Sequence, residues 1–173
     1  MLMKTLLILG SKPEPALPPP SSYQDIACAN GSGYSAAKYG LPPPAFTTMT
    51  SLIASGIESG RQSLQALAGL STGDLYFLRL RKRRGSTLGT FVRYVKAFRK
   101  KRLYRMWPFY LKRMLGSLAY RYDRFVAIPA EEYDGLVERL CDLDPDIMSQ
   151  LKRKRTSTGL IALALAIDRN EDQ

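Results

Sequence analysis

The chain has 173 residues, 45% hydrophobic and 24% charged, which suits one domain with a core and is too apolar for global disorder. It carries 26 Lys and Arg against 15 Asp and Glu, a formal net charge of +11, and no histidine. The missing histidine excludes serine–histidine triads, histidine general bases and most catalytic zinc sites. The two cysteines, Cys28 and Cys141, cannot build a disulfide framework and read as buried thiols in a reducing compartment.

Thr5-Leu6-Leu7-Ile8-Leu9 is a continuous apolar run closed by Gly10, the pattern of a buried strand opening a parallel sheet. Five prolines between Pro13 and Ser22 make a loop of polyproline character. Ile26 to Ala29 reads as a second strand, and Tyr34 to Tyr39 as a short helix stopped by Gly40 and Pro42. Phe46 to Met49 is a third strand. Ser59 to Leu70 is a helix with Leu64, Leu67 and Ala68 on one face, and Leu75 to Leu78 is a fourth strand. Two amphipathic helices follow, one through Phe91, Tyr94, Val95, Phe98 and Leu103. The other runs through Trp107, Tyr110, Leu111, Met114, Leu115 and Leu118, with Pro108 in its first turn. Phe125 to Ile128 is a fifth strand. A helix after Pro129 carries Tyr133, Leu136, Val137, Leu140 and Cys141, and a short one runs from Asp144 toward Leu151. The last helix, about Gly159 to Ile167, is apolar almost all round and is expected to be buried. Alternating strands and helices with short turns predict one α/β domain over 1–173. Its sheet is open, Rossmann-like and mostly parallel, with flanking helices and a basic, aromatic helical insertion at about 79–122. A buried helix of the last kind normally feeds another strand, so the sheet is expected to be incomplete at the C-terminus and the chain truncated.

Between Asp74 and Asp123 lie 48 residues with no Asp or Glu and 15 Lys or Arg, leaving 11 bases against 15 acids elsewhere. Such a block attracts polyanions. The segment Arg79 to Arg113 interleaves these bases with aromatics. That pattern suits an amphipathic helix on anionic lipid, ahead of single-stranded nucleic acid, although most of the aromatics have core periodicity. The longest apolar runs, Leu6 to Gly10 and Leu160 to Ile167, are too short to span a bilayer or to serve as a secretory leader. The chain is therefore placed in the cytoplasm, with the basic block a candidate for peripheral attachment to the inner face of the membrane.

Three loops carry candidate chemistry. Gly10-Ser11-Lys12-Pro13 ends the first strand, where glycine lets a phosphate or ribose approach the backbone, although neither a G-x-G-x-x-G nor a P-loop spacing is present. Ala29-Asn30-Gly31-Ser32-Gly33 offers an amide with both donor and acceptor for a base edge or ribose. Ser157-Thr158-Gly159 follows Arg153-Lys154-Arg155-Thr156 and opens the last helix, where hydroxyls and N–H groups bind anions. An ordinary strand-ending turn, a glycine turn and a helix N-cap are the respective alternatives. Tyr34 and Lys38 share the Tyr-x-x-x-Lys spacing of short-chain dehydrogenases, but without that family's cofactor turn, and are set aside.

Taken in order, Leu7-Ile8-Leu9-Gly10-Ser11-Lys12-Pro13, Cys28-Ala29-Asn30 and Ser157-Thr158-Gly159-Leu160 with its alanine-rich helix resemble the donor-binding half of sialyltransferases. The resemblance implies that the three loops surround the cytidine monophosphate part of a nucleotide-sugar donor. It puts Gly10 and Ser11 near phosphate and ribose, Asn30 and Gly31 near ribose or base, and Ser157, Thr158 and Gly159 near the nucleotide. Where that family usually has Asn beside the first glycine, this chain has Ser11-Lys12. The family's catalytic histidine follows a further strand beyond the Ser/Thr-Gly helix, and no residue of this chain takes its place. Asp123, Glu131, Glu132 and Asp134 have the spacing of helix-start and surface carboxylates. The resemblance thus implies sugar transfer from a CMP-type donor to a hydroxyl acceptor, with no metal, no further cofactor and no activity expected of these residues alone. The alternative is a non-enzymatic basic module that binds anionic membrane or RNA.

Overall fold

A computed structural model of the chain describes residues 5–10, 16–50, 53, 58–79, 108–141 and 157–171. The expected helices at Phe91–Leu103 and Asp144–Leu151 lie outside the described residues. Five strands, β1 (Leu6–Leu9), β2 (Asp25–Ala29), β3 (Phe46–Thr50), β4 (Ser71–Leu78) and β5 (Arg121–Ile128), form one sheet. Every pairing is parallel and the strand order is β1-β2-β3-β4-β5. The helices are α1 (Gly33–Lys38), α2 (Glu58–Gln65), α3 (Pro108–Ser117), α4 (Ala130–Cys141) and α5 (Thr158–Glu171). This is an open α/β sheet of the Rossmann-like class. Among the described strands the order advances without the reversal that creates a switch-point crevice in doubly wound sheets.

Alternation along each strand builds two hydrophobic layers. Leu9, Ile26, Cys28, Met49, Leu75 and Phe77 point to one face, where they meet Ala36 of α1, Leu64 of α2 and Leu111 and Leu115 of α3. Right-handed crossovers in a sheet that only advances must all lie on one face. That is why α1, α2 and α3 share it. The residues between them, Ala27, Phe46, Tyr76, Leu78 and Ile128, face the other way and are covered by Leu136 and Val137 of α4 and Ile161, Ala162 and Leu165 of α5. α5 packs on β1, β2 and β3 and alongside α4.

Some boundaries differ from the sequence expectations. β4 and β5 begin earlier, at Ser71 and Arg121, because their polar amino halves pair with each other in register, Ser71 with Arg121 and Asp74 with Arg124. Backbone pairing holds these residues where no apolar run marks them. α2 ends at Gln65, so Ala68 lies in the following turn and is exposed, while Leu64 and Leu67 are buried. α5 is not buried all round: Leu163 and Ile167 are 43% and 37% exposed, since a helix lying on one sheet covers only one of its faces. Among the described residues no helix is long and apolar enough to cross a membrane.

Candidate functional site

The carboxyl ends of β1, β2 and β3 lie side by side, with Leu9 paired to Cys28 and Ala29 to Thr48. Two side chains tie these ends together. Ser32, 3% exposed, donates its hydroxyl to the Leu9 carbonyl at 2.7 Å and accepts from the Ala29 N–H at 2.9 Å. Asn30 takes a left-handed backbone conformation, φ 55°, which asparagine tolerates better than most residues. Its Oδ1 accepts from the Thr50 N–H at 3.1 Å and the Thr50 hydroxyl at 3.3 Å. The rim of three strands is therefore fixed by hydrogen bonds at its ends and not only by the ladder.

Gly10 sits exposed at this rim, and a Cβ built on it meets no described atom within 4 Å. Ser11 lies outside the described residues. Gly31 is different: a Cβ there falls 2.9 Å from the Ser63 Cβ and 3.3 Å from its carbonyl oxygen, so the glycine admits the close approach of α2. Ser157 precedes α5 and its Oγ accepts from the Leu160 N–H at 3.2 Å, the N-cap arrangement. Its hydroxyl is thus engaged by its own helix. Thr158 and Gly159 follow half-buried, and a Cβ on Gly159 would meet no described atom within 4 Å. The four basic and hydroxyl residues before Ser157 lie outside the described residues.

The far end of α5 is anchored. Arg169 donates to Asp74 Oδ2 at 2.6 Å and to the Tyr76 hydroxyl at 2.9 Å, and its guanidinium lies 5.2 Å from the Phe46 ring centroid. Arg124 donates to both Asp74 oxygens, at 3.1 and 2.8 Å. The Arg124 and Arg169 guanidinium groups outweigh desolvation and hold the Asp74 carboxyl below its ordinary value. Phe46 is the first residue of β3 and pairs with Asp74, so this anchor sits on the amino side of the sheet. From it α5 passes over β1 to β3. Its first residue, Thr158, lies about 16 Å of helical rise away from Arg169.

No described residue has the setting of a catalytic base. Glu131 and Glu132 stand exposed in the first turn of α4, and Asp123 is exposed on β5. Cys28 is fully buried, which pushes its thiol up to about 11 and makes it inert. Among the described residues no group of His, Cys, Asp and Glu could hold a metal ion. Lys38 lies 5.9 Å from the Tyr39 ring centroid, while Tyr34 is 49% exposed.

Of the basic block, Arg79 is described at the end of β4. Its backbone bonds to Ile128 and to the Tyr133 hydroxyl, at 2.9 and 3.1 Å. Residues 80–107 lie outside the described set. Lys112 and Arg113 are exposed on α3, with Lys112 over the Phe125 ring at 4.5 Å. Leu111 and Leu115 of the same helix are fully buried.

Sequence reasoning passed over Thr50, Asp74 and Arg169. A threonine ending an apolar strand is common, and nothing local pairs it with Asn30. Asp74 did carry a signal, as the last acid before the long basic block. Compared with known protein families, characterised proteins and solved structures, the chain matches none of them.

Proposed function

We propose that this chain holds the nucleotide of a CMP-type sugar donor at the carboxyl edge of its sheet, as the donor-binding part of a glycosyltransferase resembling sialyltransferases. The observation that carries the reading is the pinned rim of β1, β2 and β3. There a Cβ on Gly10 meets no described atom within 4 Å, and Asn30, in a backbone conformation few residues adopt, has its amide oxygen held by Thr50. In open α/β sheets ligands bind outside the carboxyl ends of the strands at a reversal of strand order; the described strands have no such reversal, so the reading rests on the pinned rim itself. The start of α5, remote from its amino-side anchor at Asp74, is taken to complete the site with the Thr158 hydroxyl and the N–H groups of Thr158 and Gly159, which together with the helix dipole suit a nucleotide phosphate. Ser157 contributes by capping that helix, and Gly31 by letting α2 close against the rim.

In the reaction implied, an acceptor hydroxyl oxygen attacks the anomeric carbon. The bond from that carbon to the donor phosphate breaks, and the nucleoside monophosphate leaves with the electron pair as a base takes the hydroxyl proton. No described residue has the setting of that base, and the chain is expected to bind the nucleotide without transferring sugar. Titration with cytidine, uridine and adenosine monophosphates tests the reading. It expects a cytidine preference that Asn30→Ala or Thr158→Ala abolishes, and equal or absent binding by the folded chain contradicts it.

A second reading rests on the 48-residue block with 15 bases and no acid. Through Arg79 to Arg113 the chain would attach to an anionic membrane surface, which fits a cytoplasmic, peripheral enzyme as well as a non-enzymatic module. Co-sedimentation with acidic vesicles that falls with salt supports it. A steep logarithmic salt dependence of RNA binding would point to nucleic acid instead.

A further inference from the structure

We infer that Thr50 is a positioning residue that makes Asn30 present hydrogen-bond donors alone, so that the ligand atom read at Asn30 is an acceptor: a phosphate oxygen or a pyrimidine carbonyl or ring nitrogen, and not a ribose hydroxyl proton. The inference rests on the nucleotide reading given above and specifies it.

An asparagine amide can offer a ligand either its oxygen or its N–H groups. The choice is settled here by chemistry. The Thr50 backbone N–H can only donate, so the atom 3.1 Å from it must be the carbonyl oxygen of Asn30. The Thr50 hydroxyl, 3.3 Å from the same oxygen, adds a second donor. With both on Oδ1, the Nδ2 group is turned away from Thr50, and its two N–H groups make no hydrogen bond with any described residue. The backbone restricts the amide further. Asn30 is held at φ 55° between the buried end of β2 and the Ser32 bridge to β1, so it cannot swing to another strand end without breaking the rim. Thr50 is the last residue of β3, and its own backbone position is set by pairing with Leu78 of β4. The latch thus joins an ordered strand end to the one candidate polar side chain of the Ala29–Gly33 loop that is neither buried nor engaged at both ends.

Three variants test this, each with cytidine monophosphate as the probe and with thermal unfolding recorded alongside. Asn30→Asp keeps an oxygen for Thr50 and tolerates the same backbone conformation, but replaces the donors with a second, negatively charged acceptor. It is expected to fold as the parent does and to lose affinity by about tenfold or more. Thr50→Val, which removes the hydroxyl donor, is expected to weaken binding several-fold, and Thr50→Ser to restore it. Asn30→Asp binding as well as or better than the parent overturns the inference, because the ligand would then be giving a proton to this position. A folded parent that binds no nucleotide removes the underlying reading and this inference with it. A parent that binds, with all three variants unchanged, removes this inference alone.

Discussion

Replacing Asp74 by Asn is expected to loosen α5 from the sheet. Asp74 is largely buried, its side chain 13% exposed, and accepts from Arg169 at 2.6 Å and from Arg124 at 3.1 and 2.8 Å. The Arg124 side chain is 65% exposed, so its pairing is screened and contributes little. The Arg169 contact is the larger share. That side chain is 34% exposed, stacked on Phe46 and shared with the Tyr76 hydroxyl, and it holds the last turns of α5 against β3 and β4. A hydrogen bond to a charged group contributes about 1.5–3 kcal/mol, so Asp74→Asn should cost about 2 kcal/mol at pH 7. For a domain of this size each 1 kcal/mol shifts Tm by roughly 2–4 °C. The expected loss in thermal unfolding by circular dichroism is therefore roughly 4–8 °C.

The same pair of chains gives a pH test. The carboxyl is lowered in the folded state, so its stabilisation is fully present above the ordinary carboxylate pKa, about 3.9, and is lost as pH falls through the folded value. The gap between wild type and Asp74→Asn should be constant from neutrality down to about pH 5, narrow below about pH 4, and close as Asp74 protonates. Equal Tm values at pH 7, or a gap as wide in acid as at neutrality, would refute the role given to Asp74.

Gly31→Ala should destabilise by about 1–3 kcal/mol, seen as a lower urea midpoint, because the new methyl meets Ser63 at 2.9 Å; Gly10→Ala, with no described atom within 4 Å, should leave the midpoint in place. Tyr120 is buried and its hydroxyl has no hydrogen-bond partner among the described residues, although Thr47 and Thr72 lie nearby and bond to each other at 2.9 Å; burial pushes its phenol up to about 12. Tyr120→Phe should therefore leave thermal stability unchanged or raise it, and a loss beyond about 1 kcal/mol would show that the hydroxyl is satisfied. In a Cys141→Ser background, Cys28 should resist iodoacetamide at pH 8 in the folded chain and react quickly in urea; rapid labelling of the native protein contradicts its burial.

Much of this fold was legible because apolar runs and glycine breaks coincide with the strands. Leu6–Leu9 and Ile26 to Ala29 announce themselves, as does Pro108 at the start of α3. The amino half of β4, Ser-Thr-Gly-Asp, does not, since it is a strand by pairing with β5 and not by composition. The face of α5 left in solvent was equally unreadable. Leu163 and Ile167 are as apolar as Ile161 and Leu165, and only the position of the sheet separates them. At the candidate site, the sequence pointed to Asn30 and to the start of α5. It could not show that Thr50, 20 residues on, claims the Asn30 oxygen, or that Gly31 serves the packing of α2. Those facts depend on which strands are neighbours.

Whether the nucleotide sits at the carboxyl edge of the sheet is read from chemical-shift mapping of the isotope-labelled chain against cytidine monophosphate. Saturable shifts are expected at the amides of Gly10, Asn30, Thr50, Thr158 and Gly159, with Asp74 and Arg124 on the amino side unmoved. Shifts confined to the amino side or to α3, or none at all from the folded chain, would contradict it.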